Sequence, residues 1–123
     1  MTLLVTVALG LSLQSGTVER DAYGVAQVSA PTSAEAFYLM GKTVAEDRLW
    51  QMEMSRRLAR GKMAEVAGKS AVGSDTQIAK SGYTDQELAQ QIEALPEELR
   101  TAFAEYAKGV NATIESRTAS GTL

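Results

Sequence analysis

Asp47-Arg48-Leu49-Trp50-Gln51-Met52-Glu53, followed by Arg56-Arg57-Leu58-Ala59-Arg60-Gly61, is the stretch on which the reading of this chain turns. Leu49 and Met52 continue a three- and four-residue spacing set by Phe37, Met40, Val44 and Ala45, the period of one face of a helix. The opposite face carries Asp47, Glu53, Arg56, Arg57 and Arg60. Glu53 precedes Arg57 by four residues, the orientation that supports an exposed helix by roughly 0.2–0.5 kcal/mol. The pattern predicts helix from Ser33 to Val66 in two pieces, with Gly41 as the expected kink and Gly61 weakening the end. Arg56, Arg57, Arg60 and Lys62 could be read as a nucleic-acid stripe, but Glu46, Asp47 and Glu53 beside them favour a solvated or subunit-facing helix.

Upstream, Thr17 to Ser29 reads as a β-hairpin, with Val18 and then Val25 and Val28 in extended runs and a turn at Ala22-Tyr23-Gly24, where Gly24 suits a positive φ. Arg20-Asp21 beside that turn reads by itself as a surface ion pair. Pro31 ends the second strand, and Thr32 with Glu35 three residues on forms a capping box that starts the long helix. Downstream, Lys69 to Gly73 reads as a loop, and Ser74 with Gln77 as a second capping box, opening a short turn through Ala79 that Gly82 stops. Thr84 with Glu87 opens a further helix through Leu88 and Ile92. Pro96, Glu97 and Glu98 suit the first turn of the last helix. Its stripe Leu99, Phe103, Tyr106, Val110 and Ile114 is expected to face a core, and Gly109 within it points to close packing. Asn111-Ala112-Thr113 matches a glycosylation sequon but falls in mid-helix.

Before the hairpin, Leu3 to Leu13 is apolar and uncharged, and too short to span a bilayer as a helix, which takes about 20 residues. Three readings stand open: a signal or anchor core that lacks its basic start, a buried strand, or an N-terminal nucleophile in which Thr2 leads the chain once Met1 is removed. A signal would place the protein in the periplasm or outside the cell; without one the location is open. After the last helix, Thr118 to Leu123 is small and polar and reads as a tail. The expected division is therefore an apolar leader at 1–16, a folded segment at 17–117 and a tail at 118–123. The fold class is α+β, mostly helical: a hairpin and then four or five helices.

The chain has 123 residues, a formal charge of −3, no cysteine and no histidine. These exclude disulfides, thiolate and imidazole metal sites, and Ser-His-Asp or Cys-His catalysis by this chain. The acidic balance gives no general attraction for nucleic acid. Glu46-Asp47 and Glu97-Glu98 are adjacent in sequence and diverge around a helix, so neither makes an acid–base pair. No glycine loop has phosphate-binding spacing. With aromatic residues at 6%, large packing anchors are few, and the sequence reads as a layer wrapped on something larger. The alternative is a non-catalytic helical binding or structural module.

Val18-Glu19-Arg20-Asp21-Ala22-Tyr23-Gly24-Val25 resembles the opening strand signature of the penicillin acylase family, V-x-R-D-x-x-G-V. The run Gly41, Ala45, Asp47-Arg48-Leu49-Trp50-Gln51-Met52-Glu53, Arg56-Arg57, Ala59, Gly61, Ala64-Glu65 and Gly68 resembles the family's next segment, and Ala107 to Ile114 its A-x-G-V-N-A-x-I segment. The three occur in order over nearly all of the chain after its leader. Ala26-Gln27-Val28 stands where the family usually has Pro-His-Ile, Glu46 where Gln is usual, and Lys42-Thr43 where a Tyr/His pair is frequent.

The resemblance implies the amino-terminal part of an α subunit, a fragment of the αββα assembly of N-terminal nucleophile hydrolases. Family precursors cut themselves into α and β, and the new terminal serine of β attacks acyl amides with its own amine as base. No Ser-Asn dipeptide, the usual processing junction, occurs here. Acyl-pocket residues and the carboxylate of the family's structural calcium lie beyond this length. The resemblance thus places no catalytic, cofactor-binding or metal residue on this chain. It assigns Arg20, Asp21, Asp47, Arg48 and Arg57 structural roles, as ion pairs and caps that hold the hairpin and first helix to the rest. The implied partners are the β subunit or remainder of the precursor and a small acyl amide, with no nucleic acid and no stable membrane span.

Overall fold

The computed structural model describes residues 15–122. The apolar run with its three readings, Thr2 included, lies outside the described residues. Strands β1 (Thr17–Arg20) and β2 (Ala26–Ser29) form the expected antiparallel hairpin, with Val18 opposite Val28 and Arg20 opposite Ala26. Five helices follow: α1 (Ser33–Ala59), α2 (Ala64–Ala67), α3 (Val72–Ser81), α4 (Asp85–Glu93) and α5 (Glu97–Ser120), with a 3-10 turn at Gly68–Ala71 between α2 and α3. The hairpin lies along α1, and α1 packs chiefly on α5.

Helix ends follow local chemistry where the sequence supplies it. Thr32 Oγ1 accepts from the Glu35 amide at 3.2 Å, but the Glu35 carboxylate does not complete the box; it accepts from the Gly16 amide at 2.6 Å and so ties the start of β1 to α1. Thr84 and Glu87 form the full reciprocal box at the start of α4, and the Thr84 amide and hydroxyl hold the Glu87 carboxyl below the usual range. At the end of α1, Gly61 has φ +62, its amide reaches the Leu58 carbonyl and the Lys62 amide reaches that of Arg57: a Schellman motif. The same pair of bonds, Gly121 to Thr118 and Thr122 to Arg117, closes α5. Helix thus runs through Ser120, three residues into the stretch read as polar tail.

Three local expectations are corrected. Ser74 does not cap a helix, because α3 already begins at Val72 out of the 3-10 turn, which replaces the loop expected at Lys69–Gly73. Gly41 does not kink α1; the break falls at Arg48, with φ −135° and ψ 21°. The stripe on α5 is covered only in part, with Tyr106, Val110 and Ile114 half-buried. Leu99 and Phe103 stand exposed, while Ala102, Gly109 and Thr113, one row over, are buried.

The reason lies in the α1–α5 seam. Its residues on α1 are Gly41 and Ala45, and on α5 Ala102, Gly109 and Thr113. A Cβ built on Gly41 would run into the Tyr106 carbonyl, and one on Gly109 into the Tyr38 carbonyl and, at 2.7 Å, the Lys42 amide nitrogen. The two backbones therefore touch, and small residues take the centre while the large apolar ones are displaced to the flanks. Ala45 and Ala102 are the buried apolar side chains among the described residues. No helix of the described residues is long and apolar enough to cross a membrane.

Candidate functional site

The hairpin is fastened to α1 by one bidentate ion pair. Arg20 Nη2 and Nη1 donate to the two Asp47 carboxylate oxygens at 2.8 and 3.0 Å, and Nη1 also donates to the Gly24 carbonyl at 2.9 Å. Arg20 thus passes over its neighbour Asp21, correcting the ion pair read there. The Asp21 carboxylate instead accepts from the Tyr23 amide at 2.8 Å and the Val25 amide at 2.9 Å, folding the turn that Gly24, at φ +80, completes. The spacing of Arg20 and Asp47 comes from the fold: β1 runs alongside α1, anchored at one end by Gly16 on Glu35 and at the other by this pair.

A second cluster closes the carboxyl-terminal part of α1. Glu53 accepts from Arg56 at 2.7 and 3.0 Å and from Arg57 at 2.7 Å, and Arg57 reaches on to Glu65 of α2 at 2.5 Å. The Arg56 guanidinium first, and then Arg57, hold the Glu53 carboxyl down to about 2. Arg60 pairs with Asp85 at 2.8 Å. Three of the four cations of the basic stripe are thus engaged by carboxylates. Arg48 departs from its expected role: its side chain donates to Gln51 at 3.1 Å within α1 and does not reach the hairpin. Asp75 is the residue that sequence reasoning missed. Its carboxylate accepts from the Met63 and Ala64 amides at 3.0 and 2.7 Å and caps α2 from eleven residues downstream. Only its place one residue after Ser74, at the start of α3, hinted at a capping role.

Beside the break in α1, Leu49, Trp50, Glu53, Ile114, Arg117 and Thr122 line an open, mostly apolar groove of about 510 Å³. Trp50 is 67% exposed and Phe103 64%. Exposed Val66, Val72, Tyr83, Ile92 and Leu99 add to an apolar surface far larger than the buried core. No group of three His, Cys, Asp or Glu side chains among the described residues is placed to hold a metal. Among the described residues the geometry supplies clamps and caps beside an exposed apolar surface.

A hairpin clamped on a broken helix, crossed by a second helix through a small-residue seam, is the class of architecture these residues define. Residues 15–122 match the penicillin amidase family model. The chain belongs to that family. It is 41% identical over 98 residues to penicillin G acylase of Escherichia coli, spanning 80% of this chain and 12% of the relative. It is 34% identical over 99 residues to the acyl-homoserine lactone acylase QuiP of Pseudomonas putida, again 80% of this chain and 12% of the relative. A thermostable penicillin G acylase from Alcaligenes faecalis superposes with a TM-score of 0.76 at 38% identity, covering 85% of this chain and 55% of that one. The chain therefore spans about an eighth of the length of these curated relatives. These relatives are acyl-amide hydrolases, and the hairpin followed by helices agrees with the fold class read from the sequence.

Proposed function

We propose that this chain is the amino-terminal segment of the α subunit of an acyl-amide hydrolase, whose nucleophile is the terminal serine of a β subunit. One observation carries the reading. Among the described residues the buried apolar side chains are two alanines, while Trp50, Phe103 and other large apolar residues stand in solvent. A surface of that kind is built to be covered, and relatives about seven times the length of this chain have the further chain to cover it. The chemistry belongs to that remainder. A terminal amine with an ordinary pKa of about 7.7–8.0 accepts the serine proton near neutral pH, which fits a chain without histidine. This segment acts as scaffold: Arg20–Asp47 and Glu35–Gly16 hold the hairpin, and the α1–α5 seam fixes the layer. The substrate is the side-chain amide of a penicillin or cephalosporin, or an N-acyl-homoserine lactone; penicillin and acyl-homoserine lactone are named among its relatives.

The test is to express the whole gene and follow the product. Two chains on a denaturing gel, one beginning with serine, and release of phenylacetate from a phenylacetyl amide or of a fatty acid from an acyl-homoserine lactone are expected. A single unprocessed chain without amide hydrolysis would overturn the proposal. In that case a cooperative melt and a monomeric mass for the 123-residue chain would point to a self-sufficient helical module.

A further inference from the structure

Helix α1 breaks at Arg48, and the usual local causes are missing. Sharp kinks arise at proline, at Gly/Ser pairs, at π-bulges, or where a side chain enters the hydrogen-bond ladder. The helix has no proline, and Gly41 lies seven residues upstream, engaged in the seam. Two side chains of α5 do enter the ladder. Thr113 Oγ1 donates to the Lys42 carbonyl at 3.1 Å, and Arg117 Nη2 donates to the Glu46 carbonyl at 2.5 Å. In an unbroken helix the carbonyl of residue 46 accepts from the amide of residue 50, a rung that spans residue 48. Arg117 therefore holds the acceptor at the rung where the backbone leaves helical geometry, and does so with a charged donor.

We propose that Arg117 is a latch that opens α1 at Arg48, so that the docking of α5 sets the direction of residues 49–59. Thr113, one turn earlier on both helices, registers the latch against Lys42. The consequence falls on the groove. Leu49, Trp50 and Glu53 come from α1 beyond the break, while Ile114, Arg117 and Thr122 come from α5 and its end. The latch fixes one wall relative to the other. A straight α1 would carry Trp50 and the Glu53–Arg57–Glu65 bridge in another direction, and α2 with them. Arg117 is in this sense a positioning residue, acting on Trp50 through the backbone of Glu46.

The experiment reads the backbone of the full-length protein, because Arg117 lines the same groove as Trp50 and the emission of the tryptophan would respond to its removal directly. The Cα and carbonyl carbon shifts of Glu46, Asp47 and Arg48 are compared between wild type, Arg117→Met and Arg117→Lys. Non-helical shifts at Arg48 in the wild type, helical shifts in Arg117→Met and wild-type shifts in Arg117→Lys, which keeps a cationic donor, are expected. Non-helical shifts retained in Arg117→Met would overturn the proposal, because the break would then be intrinsic to α1. Should Arg117→Met fail to fold, Arg117→Leu is read in the same way: helical shifts at Arg48 support the latch, and a retained break refutes it.

Discussion

Arg20 and Asp21 are neighbours of opposite charge, yet each works elsewhere. A carboxylate one residue along a strand points to the other face, and Asp21, at the mouth of the turn, is better placed to accept its amides. Arg20 is left free for Asp47, and their exposure of 40% and 44% limits the pair to about 1 kcal/mol. Glu53 is the residue whose environment makes the sharpest claim. Its carboxyl is depressed from 4.5 to about 2 by Arg56 and then Arg57. A depressed folded-state value means the stabilisation is fully present above the ordinary carboxylate range and is lost as pH falls through about 2. A carbon-detected titration of Glu53 should therefore show it ionised at pH 3.5, and Arg56→Met should raise its midpoint toward 4.5. An ordinary midpoint in the wild type would mean that the arginine pairs do not persist in solution.

Among the elements, glycine separates local from tertiary effects. Gly73 lies within α3 without a positive φ, and a methyl group added there would meet nothing within 4 Å, so Gly73→Ala should stabilise by about 0.5–1 kcal/mol through helix propensity. Gly109 has equally helical surroundings, but a methyl there meets the backbone of α1. Gly109→Ala should destabilise by about 1–3 kcal/mol. Paired thermal melts of the two variants check both signs, and equal effects would contradict the close seam. Caps divide in the same way. The Thr84–Glu87 box forms as spelled because both partners lack other suitors, whereas half of the Thr32–Glu35 box is diverted to Gly16. Asp75 caps α2 only because α3 folds back onto its start.

For the whole molecule, the balance of buried and exposed apolar surface is the governing fact. Among the described residues the buried apolar side chains are alanines, so this core contributes little. The 123-residue chain on its own should bind an apolar dye such as anilinonaphthalene sulfonate. Phe103→Ser should reduce that binding while moving stability by no more than about 0.5 kcal/mol, because Phe103 is 64% exposed. A dye-silent chain, or a large loss of stability in Phe103→Ser, would show that this surface is already covered.

The hairpin, the long first helix, the Thr84 start and the family were legible in the sequence, because turns, caps and apolar period act over a few residues; the stop at Gly61 was not, since the helical pattern reads on to Val66 while α1 ends at Ala59. A composition without histidine or cysteine and with few aromatic residues was legible too. The partner of Arg20, the break at Arg48, the cap from Asp75 and the choice of Gly109 over Phe103 for the α5 seam were decided by tertiary structure. Each depends on where a distant backbone or carboxylate arrives, at separations from 11 to 71 residues. Helical period can place Leu99 and Phe103 on one stripe, but it cannot say that the approaching surface is a backbone, which only a residue without a side chain can meet.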